Sequence, residues 1–528
     1  MRPRGGKIIC PAFDTLAAIL FLSPPMPRHH HAWLAAALFG ALTPARGAAQ
    51  SSPYVPLDDP RLPLLEHLIA RGDVADPSPM VRPFRRADAV RVLTGADTAG
   101  AASAALIRRL RTELDEPTDS TRWQLGARAG GQAYTEIRRD VYHPLGPDGV
   151  RPYGEFTGEA SMGAFAMVSR LAAEPRIPDD PEWPGRRDLE LAWRMPEAYL
   201  SAQFKYGSLF YGQMDRNWGP VGIEGIGLSN YDYNETELAF DIGVDAVRLW
   251  ASARPLEDAD SAGERVHRYF FAHRLGVRVT DRLRLGLWET TVVAGVDREF
   301  DGRYRNPLSL LLFTNQYGLG ADGNVLFGFD GRYRIGKGTT IEAQVGLDDL
   351  QYENTSGEDR YPNRWAFTVA AFGPVGSRLS WRAFYTQASS LAFRTINPFE
   401  NLTDGGVGLG RNFADMDRVT VTVSLPVAER WLFMPELTLQ RQGEGEINDP
   451  FPATPEEAGQ LPQLFIGTVE RTWRAAVAVT GRQGPLDLRA SAGLHHVENA
   501  GHVSGDTDDR FVGRLQATLG LSRRGVIR

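Results

Sequence analysis

The residues with the clearest chemical potential lie in the segment YGQMDRNWGP, from Tyr211 to Pro220. It sets Asp215 beside Arg216 and places Trp218 two residues further on, ahead of a Gly-Pro break. An acid next to a base can transfer protons, and an indole ring can stack on a sugar. The segment is therefore a candidate for a catalytic loop, for a sugar-binding platform, or for the end of a strand in a large β-sheet.

A second candidate acid/base pair consists of His273 and Glu289, but both fall inside stretches that alternate like strands. His273 shares the phase of Phe271 and Leu275, which favours a structural or interfacial histidine. Glu289 falls on the apolar face of its own strand. A carboxylate there needs a hydrogen-bonding partner, a β-bulge or, if the strand crosses a membrane, a position beyond the lipid. We expect it at the end of its strand.

No motif for a serine nucleophile, a zinc protease, a phosphate loop or a dinucleotide site occurs in a matching context. His495 and His496 are adjacent, so on a strand they point to opposite faces and lack a third metal ligand. We therefore interpret Asp215 and Arg216 as a structural polar pair and not as a catalytic dyad. In the barrel predicted below, this pair would lie at the edge of the lumen. The sequence predicts a protein that is not an enzyme and that has no cofactor and no metal site.

The first 49 residues resemble an export signal preceded by an extension. A basic start at Arg28, an apolar run from Ala32 to Leu42 and small residues before Gln50 predict cleavage after Ala49. Met26 suits the true start better than Met1, which would exclude the single cysteine, Cys10. The mature chain then uses no disulfide and no thiol chemistry.

Composition narrows the class of protein further. The chain has 528 residues, with 55 glycines, 35 prolines and 10% aromatics, and its mean hydropathy of -0.29 excludes a bundle of apolar membrane helices. Removal of residues 1–49 changes the net charge from -7 to -11. An acidic exported chain is a poor binder of nucleic acid.

Residues 50–120 have helical periodicity, with leucines three and four apart in DPRLPLLEHLIARG and in AASAALIRRLRTELDE. Three short helices bury little surface by themselves. We therefore predict a small periplasmic helical unit that docks on a larger body.

From residue 121 to residue 528 the period changes to two. One example is Trp123, Leu125 and Ala127 alternating with Gln124 and Arg128, and the pattern recurs to the end of the chain. Tight turns such as TDR (280–282) and GKG (336–338) alternate with long polar loops such as 295–324 and 389–417. Strict sorting of loops by length is typical of an outer-membrane barrel with short periplasmic turns and long extracellular loops.

We therefore predict a mainly β fold, a large antiparallel transmembrane β-barrel of about 16–18 strands with a small N-terminal helical unit. Its lumen face would be rich in arginine. The lumen-facing basic candidates are Arg128, Arg278, Arg332, Arg334, Arg382 and Arg418.

Aromatic residues are frequent in the segments read as loops. They could stack on sugars, or they could form the interfacial belt common in barrels, and the sequence does not separate the two. These residues are Tyr142, Tyr153, Trp183, Tyr231, Tyr233, Tyr304, Tyr317, Tyr352, Tyr361 and Phe399.

Several motifs together resemble the capsule assembly Wzi family of outer-membrane proteins. They are YGQMDRNWGP, GLSN (227–230), FAHRLGVRVTDRLRLGLWE (271–289) and RNP (305–307). The resemblance covers essentially the whole mature chain. It implies an eighteen-stranded barrel with a closed lumen and a periplasmic helical unit, and a lectin that helps attach surface polysaccharide to the cell.

The resemblance supplies no catalytic residues, and the loops that would select a sugar do not match. Candidates for polysaccharide binding or for the motif are Asp215, Arg216, Trp218, Tyr231, Tyr233, Arg274, Tyr304 and Tyr317. The expected partners are capsular or extracellular polysaccharide, outer-membrane lipid and the capsule-export machinery. The alternative function is a porin-like diffusion channel for small or anionic solutes, which an arginine-rich lumen would suit.

Overall fold

The computed structural model describes residues 51–526 apart from 99–101, 116–120, 147, 301–302, 305, 307, 315–322, 337 and 350–360. The predicted signal segment and start, Cys10 and the candidate Tyr317 lie outside the described residues. Within the described residues, no helix is long and apolar enough to cross a membrane.

Eighteen antiparallel strands, β1 to β18, form one closed barrel. Each strand pairs with its neighbours in the chain, and the first strand pairs with the last, for example Arg128 opposite Gly520. The strands are Arg122–Tyr134, Gly149–Met162, Phe165–Glu174, Ala192–Phe204, Gly207–Met214, Glu237–Gly243, Val247–Pro255, Glu264–Arg278, Leu283–Gly295, Asn324–Ile335, Thr339–Asp349, Arg364–Val375, Leu379–Ala388, Met416–Val427, Trp431–Gln442, Glu470–Gln483, Leu486–Glu498 and Thr507–Val526. The predicted barrel is confirmed, at the upper end of the expected strand count.

Closure explains how a sheet of this size leaves no unpaired edge. An antiparallel barrel pairs its backbone N–H and C=O groups between neighbouring strands, as a lipid surrounding requires. Along each strand the side chains alternate between the outer wall and the lumen. Leu125, Leu275 and Leu285 lie exposed on the outer face, while Arg128, Arg274 and Asp330 lie on the lumen face.

The two ends of the barrel differ in the length of their connections. At the short-turn end, β2 and β3 are joined by two residues, 163–164, and β4 and β5 by 205–206. At the long-loop end, residues 215–236 follow β5 and residues 389–415 follow β13. Short turns and long loops alternate around the whole barrel.

Three helices, α1 to α3, precede the first strand: Leu62–Arg71, Arg86–Thr94 and Ala104–Leu114. Their leucines form an apolar cluster that also includes Leu432 of the barrel wall. A backbone hydrogen bond joins the start of the helical segment to a short turn, because Ser51 N donates to Gly163 O at 3.0 Å. Arg71 also donates to Leu379 O at 2.7 Å, so the helices lie at the short-turn end.

Shorter elements lie in the connections. The helices Leu311–Thr314 and Pro455–Gln460 and the 3-10 turns Ile177–Asp179, Pro398–Glu400 and Ala500–His502 are at the long-loop end. The short strands are Val81–Arg82, Asn217–Trp218, Ala259–Ser261, Thr403–Asp404 and Val407–Gly408.

One expectation from the sequence was wrong. Glu289 is the seventh residue of the thirteen in β9, so it lies mid-strand and not at the end. On the outer face its carboxylate contacts the His273 ring at 3.2 Å and accepts from Leu311 N at 2.9 Å. The segment around Tyr304 and Leu311 covers this part of the wall, and this cover supplies the partners that a buried carboxylate requires.

Tyr153 also differs from its sequence interpretation as a loop aromatic. It is buried within β2, and its hydroxyl donates to Glu155 at 2.8 Å.

Candidate functional site: a plugged lumen and a cleft among the long loops

The segment that contains Trp218 turns into the lumen immediately after β5. Asn217 and Trp218 form a two-residue antiparallel pair with Arg82 and Val81 of the helical segment. The wall fixes this loop, because Gln344 Nε2 donates to Trp218 O at 2.8 Å. Gln344 Oε1 in turn accepts from Ile226 N at 3.0 Å.

Asp215 and Arg216 do not bond to each other. Arg216 pairs with Glu237, and its guanidinium lies 4.6 Å from the centre of the Phe210 ring. Asp215 accepts from the Asn234 side-chain amide at 3.0 Å, and burial raises the pKa of the Asp215 carboxyl. These contacts hold the loop in place and leave no proton-transfer pair.

The loop 389–415 enters the lumen beside the first loop. Arg411 donates to Thr386 Oγ1 at 2.7 Å on the wall and to Glu224 O at 2.8 Å on the neighbouring loop. Ser229 Oγ donates to Gly410 O at 2.7 Å. The two loops are therefore bound to each other and to the barrel.

Apolar side chains from both loops and the wall form a core inside the barrel. It includes Trp218, Ile226, Trp288, Phe393 and Leu409, all of which are buried. Hydrophobic burial of this kind stabilises a closed arrangement. We call this core, with residues 217–229 and 389–414, the lumen plug.

Two glycines allow the backbone to pack directly against the Trp288 ring. A Cβ at Gly328 of β10 or at Gly227 of the first loop would overlap the Trp288 ring. A larger residue at either position would displace the indole.

Most of the lumen-facing arginines pair with carboxylates. Arg274 forms a bidentate salt bridge with Asp330, in which Nε and Nη2 donate to the two carboxylate oxygens at 2.9 and 2.6 Å. Its guanidinium lies 5.0 Å from the centre of the Trp250 ring. Arg128 pairs with Glu155 at 3.2 Å and Asp487 at 3.3 Å, and Arg418 pairs with Glu224 at 3.0 Å.

Arg332 pairs with Asp76 of the helical segment and with Glu342 of the wall. Arg382 lies 5.4 Å from the Phe372 ring. Arg278 pairs with Asp245 at 3.0 Å, and Arg334 is exposed; both lie at the short-turn end. Arginines such as Arg274 and Arg418 therefore line the lumen, but carboxylates neutralise much of their charge.

A chamber of about 530 Å³ remains between α1 and the plug. Its lining includes His67, Asn217, Glu224, Arg382 and Arg418. The His67 ring contacts Ser380 Oγ at 2.7 Å, and burial lowers the pKa of His67 to about 4.

A cleft of about 500 Å³ lies at the long-loop end. Four loops and the ends of β4, β5 and β7 contribute to it. The residues that we use to define this rim cleft are Glu182, Trp183, Trp193, Arg194, Asp232, Tyr233, Asn234, Glu235, Glu257 and Asp404.

The aromatic residues of the rim cleft are held by their neighbours. The Trp183 and Tyr233 rings meet edge to face with centroids 4.8 Å apart. Tyr233 donates to Asp180 at 2.7 Å, and the Arg139 guanidinium lies 4.4 Å from its ring. Trp193, by contrast, leaves 51% of its surface exposed. Fixed rings beside polar groups are what a sugar-binding surface requires.

The structure brings few of the sequence candidates to this cleft. Tyr233 lines it, and Tyr231 lies beside it, with its hydroxyl bonded to Glu182 at 3.1 Å. Asp215, Arg216 and Trp218 secure the first plug loop, and Arg274 is in the lumen.

Tyr304 lies on the outer wall, with its ring tilted against that of Phe271 and the two centroids 5.7 Å apart. The sequence does not single out Trp193 or Asp404 as candidates. Trp193 gives no distinct signal in an alternating strand, and Asp404 precedes a Gly-Gly turn whose destination the sequence does not reveal.

The fold is that of a closed outer-membrane-type barrel whose lumen is filled by its own loops. No family model matches the sequence, and no curated protein matches it significantly. Among solved structures, the chain is similar to Escherichia coli Wzi, described as an outer-membrane protein involved in group 1 capsule assembly and as a carbohydrate-binding β-barrel. The TM-score is 0.60 at 15% identity, covering 89% of this chain and 99% of Wzi.

The fold is thus Wzi-like, as the sequence resemblance predicted. Pseudomonas aeruginosa OprD aligns less well, with a TM-score of 0.42 at 11% identity over 76% of this chain and 95% of OprD.

Proposed function

We propose that this chain is an outer-membrane barrel that binds surface polysaccharide and helps to assemble or anchor a capsule or exopolysaccharide layer. It acts as a lectin and catalyses no reaction. In this account residues 1–49 are an extension with a cleavable signal, the helices of residues 50–120 face the periplasm, and the long loops face the exterior.

The observation that carries the proposal is the combination of a plugged lumen with an open cleft lined by aromatic residues at the long-loop end. The plug makes the lumen unsuitable as a wide path for solutes. The cleft provides Trp183, Trp193 and Tyr233 beside carboxylates that can accept bonds from hydroxyl groups. The Wzi-like fold supports the same reading, since Wzi is described as carbohydrate-binding.

The neutralised arginines weigh against the diffusion-channel alternative. An anion-selective pore needs free positive charge along an open path. Here Arg274 and Arg418 already bind carboxylates, and the plug occupies the lumen beside them.

The experiment is a binding assay of purified protein against polysaccharide from the producing cell, accompanied by planar-bilayer conductance. Binding with no steady conductance supports the proposal. Steady conductance without binding would support the channel, and unchanged surface polysaccharide after gene deletion would contradict the role in assembly.

A further inference from the structure

The rim cleft contains more acidic than basic side chains. Its lining includes the five acidic residues Glu182, Asp232, Glu235, Glu257 and Asp404. The basic residue among the lining residues, Arg194, is bonded to Glu174 at 3.0 Å. Glu182 pairs with Arg138 at 3.1 Å, so the acidic excess of the cleft rests on its other carboxyl groups.

Asp404 is the most informative of these carboxylates, because 8% of its surface is exposed. One oxygen accepts from Glu257 N at 2.8 Å. Within the part of the chain that the structure describes, no basic side chain lies at ion-pair distance from Asp404. The nearby Arg268 instead donates to the backbone oxygens of Phe399 and Thr403, each at 2.7 Å. A buried carboxylate without a cationic partner is costly.

Asp232 is a second buried carboxylate in the same cleft. Arg254 lies 3.3 Å from it, yet burial raises the pKa of Asp232 to about 8, and the charge of Asp404 adds to the effect. The cleft thus contains two buried acids, and Arg254 pairs with one of them.

The surroundings of the cleft have the same sign of charge. Among the described residues, the nine segments that connect strands at the long-loop end contain 26 acidic and 10 basic residues. A surface of this kind attracts cationic ligands and repels polyanions, most strongly at low salt.

We infer that the rim cleft binds a sugar unit with a free, protonated amino group. The ammonium group donates to Asp404 and Asp232, and the sugar ring lies against the indoles of Trp183 and Trp193. An ammonium group has three donors and supplies the positive charge that Asp404 lacks. This inference rests on the proposed function, since it specifies which polysaccharide the lectin binds.

Two other classes of sugar fit the cleft less well. A neutral sugar can stack on the indoles, but it leaves Asp404 without a counter-charge. A uronic acid would place a further carboxylate among those already present, and like charges at close range disfavour binding.

The test uses three defined probes and the purified full-length chain. Chitosan oligosaccharides carry free amino groups, chitin oligosaccharides are their neutral N-acetylated forms, and oligogalacturonate is acidic. In calorimetric titrations, chitosan should bind about tenfold more tightly than chitin, the preference expected for a charge-assisted hydrogen bond. Oligogalacturonate should bind more weakly than either.

The variant Asp404→Asn should remove the preference for chitosan and leave chitin binding unchanged. Glu456→Gln is the matched control, because it removes the same charge from an exposed helix of another long loop. If both variants lower chitosan binding equally, the attraction is a general surface effect and the inference is wrong.

Wild-type protein provides a second test that does not depend on folding of a variant. Chitosan binding should weaken as salt rises, whereas chitin binding should not. Equal affinity for chitosan and chitin, or tighter binding of oligogalacturonate, would overturn the inference but leave the lectin proposal intact. Absence of binding to all three probes and to the cell's own polysaccharide would overturn the lectin proposal itself.

Discussion

Trp218 lies opposite Val81 in an antiparallel pair that joins the loop after β5 to the helical segment inside the barrel. The two residues are far apart in the chain and come from opposite ends of the barrel. Their pairing means that the plug is attached both to the long-loop end and to the helices at the short-turn end. Closure of the lumen is consequently a property of the whole fold.

Truncation of the indole should loosen this connection. We expect Trp218→Ala to lower the free energy of unfolding by about 3–5 kcal/mol, as for a buried tryptophan, and to raise single-channel conductance. Planar-bilayer recording and thermal unfolding are the measurements. Trp473→Ala is the control, since 49% of Trp473 is exposed on the outer wall, and it should change neither quantity substantially. Steady conductance by the wild-type protein would contradict the closed lumen.

The close contact between Gly328 and Trp288 leads to a second prediction. A methyl group at residue 328 overlaps the indole, so Gly328→Ala should destabilise the barrel by about 1–3 kcal/mol through overpacking. The control lies on the same strand: a Cβ at Gly331 finds its nearest neighbour at 3.4 Å, an ordinary contact. Urea-induced unfolding should therefore separate Gly328→Ala from Gly331→Ala. Equal midpoints would show that Trp288 moves freely.

The pair of Arg274 and Asp330 predicts strong coupling between two substitutions. Arg274→Met leaves Asp330 as a buried carboxylate without its partner, which costs about 3–5 kcal/mol. The double variant with Asp330→Asn should recover a large part of this loss. Unfolding free energies of the two single variants and the double variant give the coupling directly. Additive losses would mean that the two side chains do not interact.

Much of the architecture follows from local sequence patterns. Period-two alternation and the sorting of turns from loops predict a barrel, and side chains such as Arg128 and Arg274 lie on the lumen face that the pattern assigns. The plug is different, because Val81 and Trp218 must meet across the lumen and neither lies in a periodic stretch. The rim cleft draws Trp183, Tyr233 and Asp404 from separate loops, so no single motif encodes it.

The raised pKa of Asp232 gives stability a definite dependence on pH. Because the pKa in the folded chain, about 8, is above that of an unfolded aspartate, about 3.9, folding favours the protonated form. This contribution is fully present below pH ~4 and is lost as pH rises toward pH ~8.

Asp232→Asn should therefore make the unfolding midpoint less sensitive to pH between pH ~4 and pH ~8. Chemical denaturation at a series of pH values measures the effect, with Glu456→Gln as the control for loss of one exposed charge. A pH profile of Asp232→Asn that matches wild type would contradict burial of an acid at this position.

The central claim is that the chain is a plugged barrel that binds polysaccharide through the rim cleft. Its most direct test is the affinity of purified Trp183→Ala, Trp193→Ala and Trp473→Ala variants for polysaccharide from the producing cell. Loss of a stacked ring should weaken binding about fivefold for the first two, since aromatic contacts contribute about 1 kcal/mol, and leave Trp473→Ala at the wild-type affinity. Equal binding by all three variants, or no binding by the wild-type protein, would contradict the account.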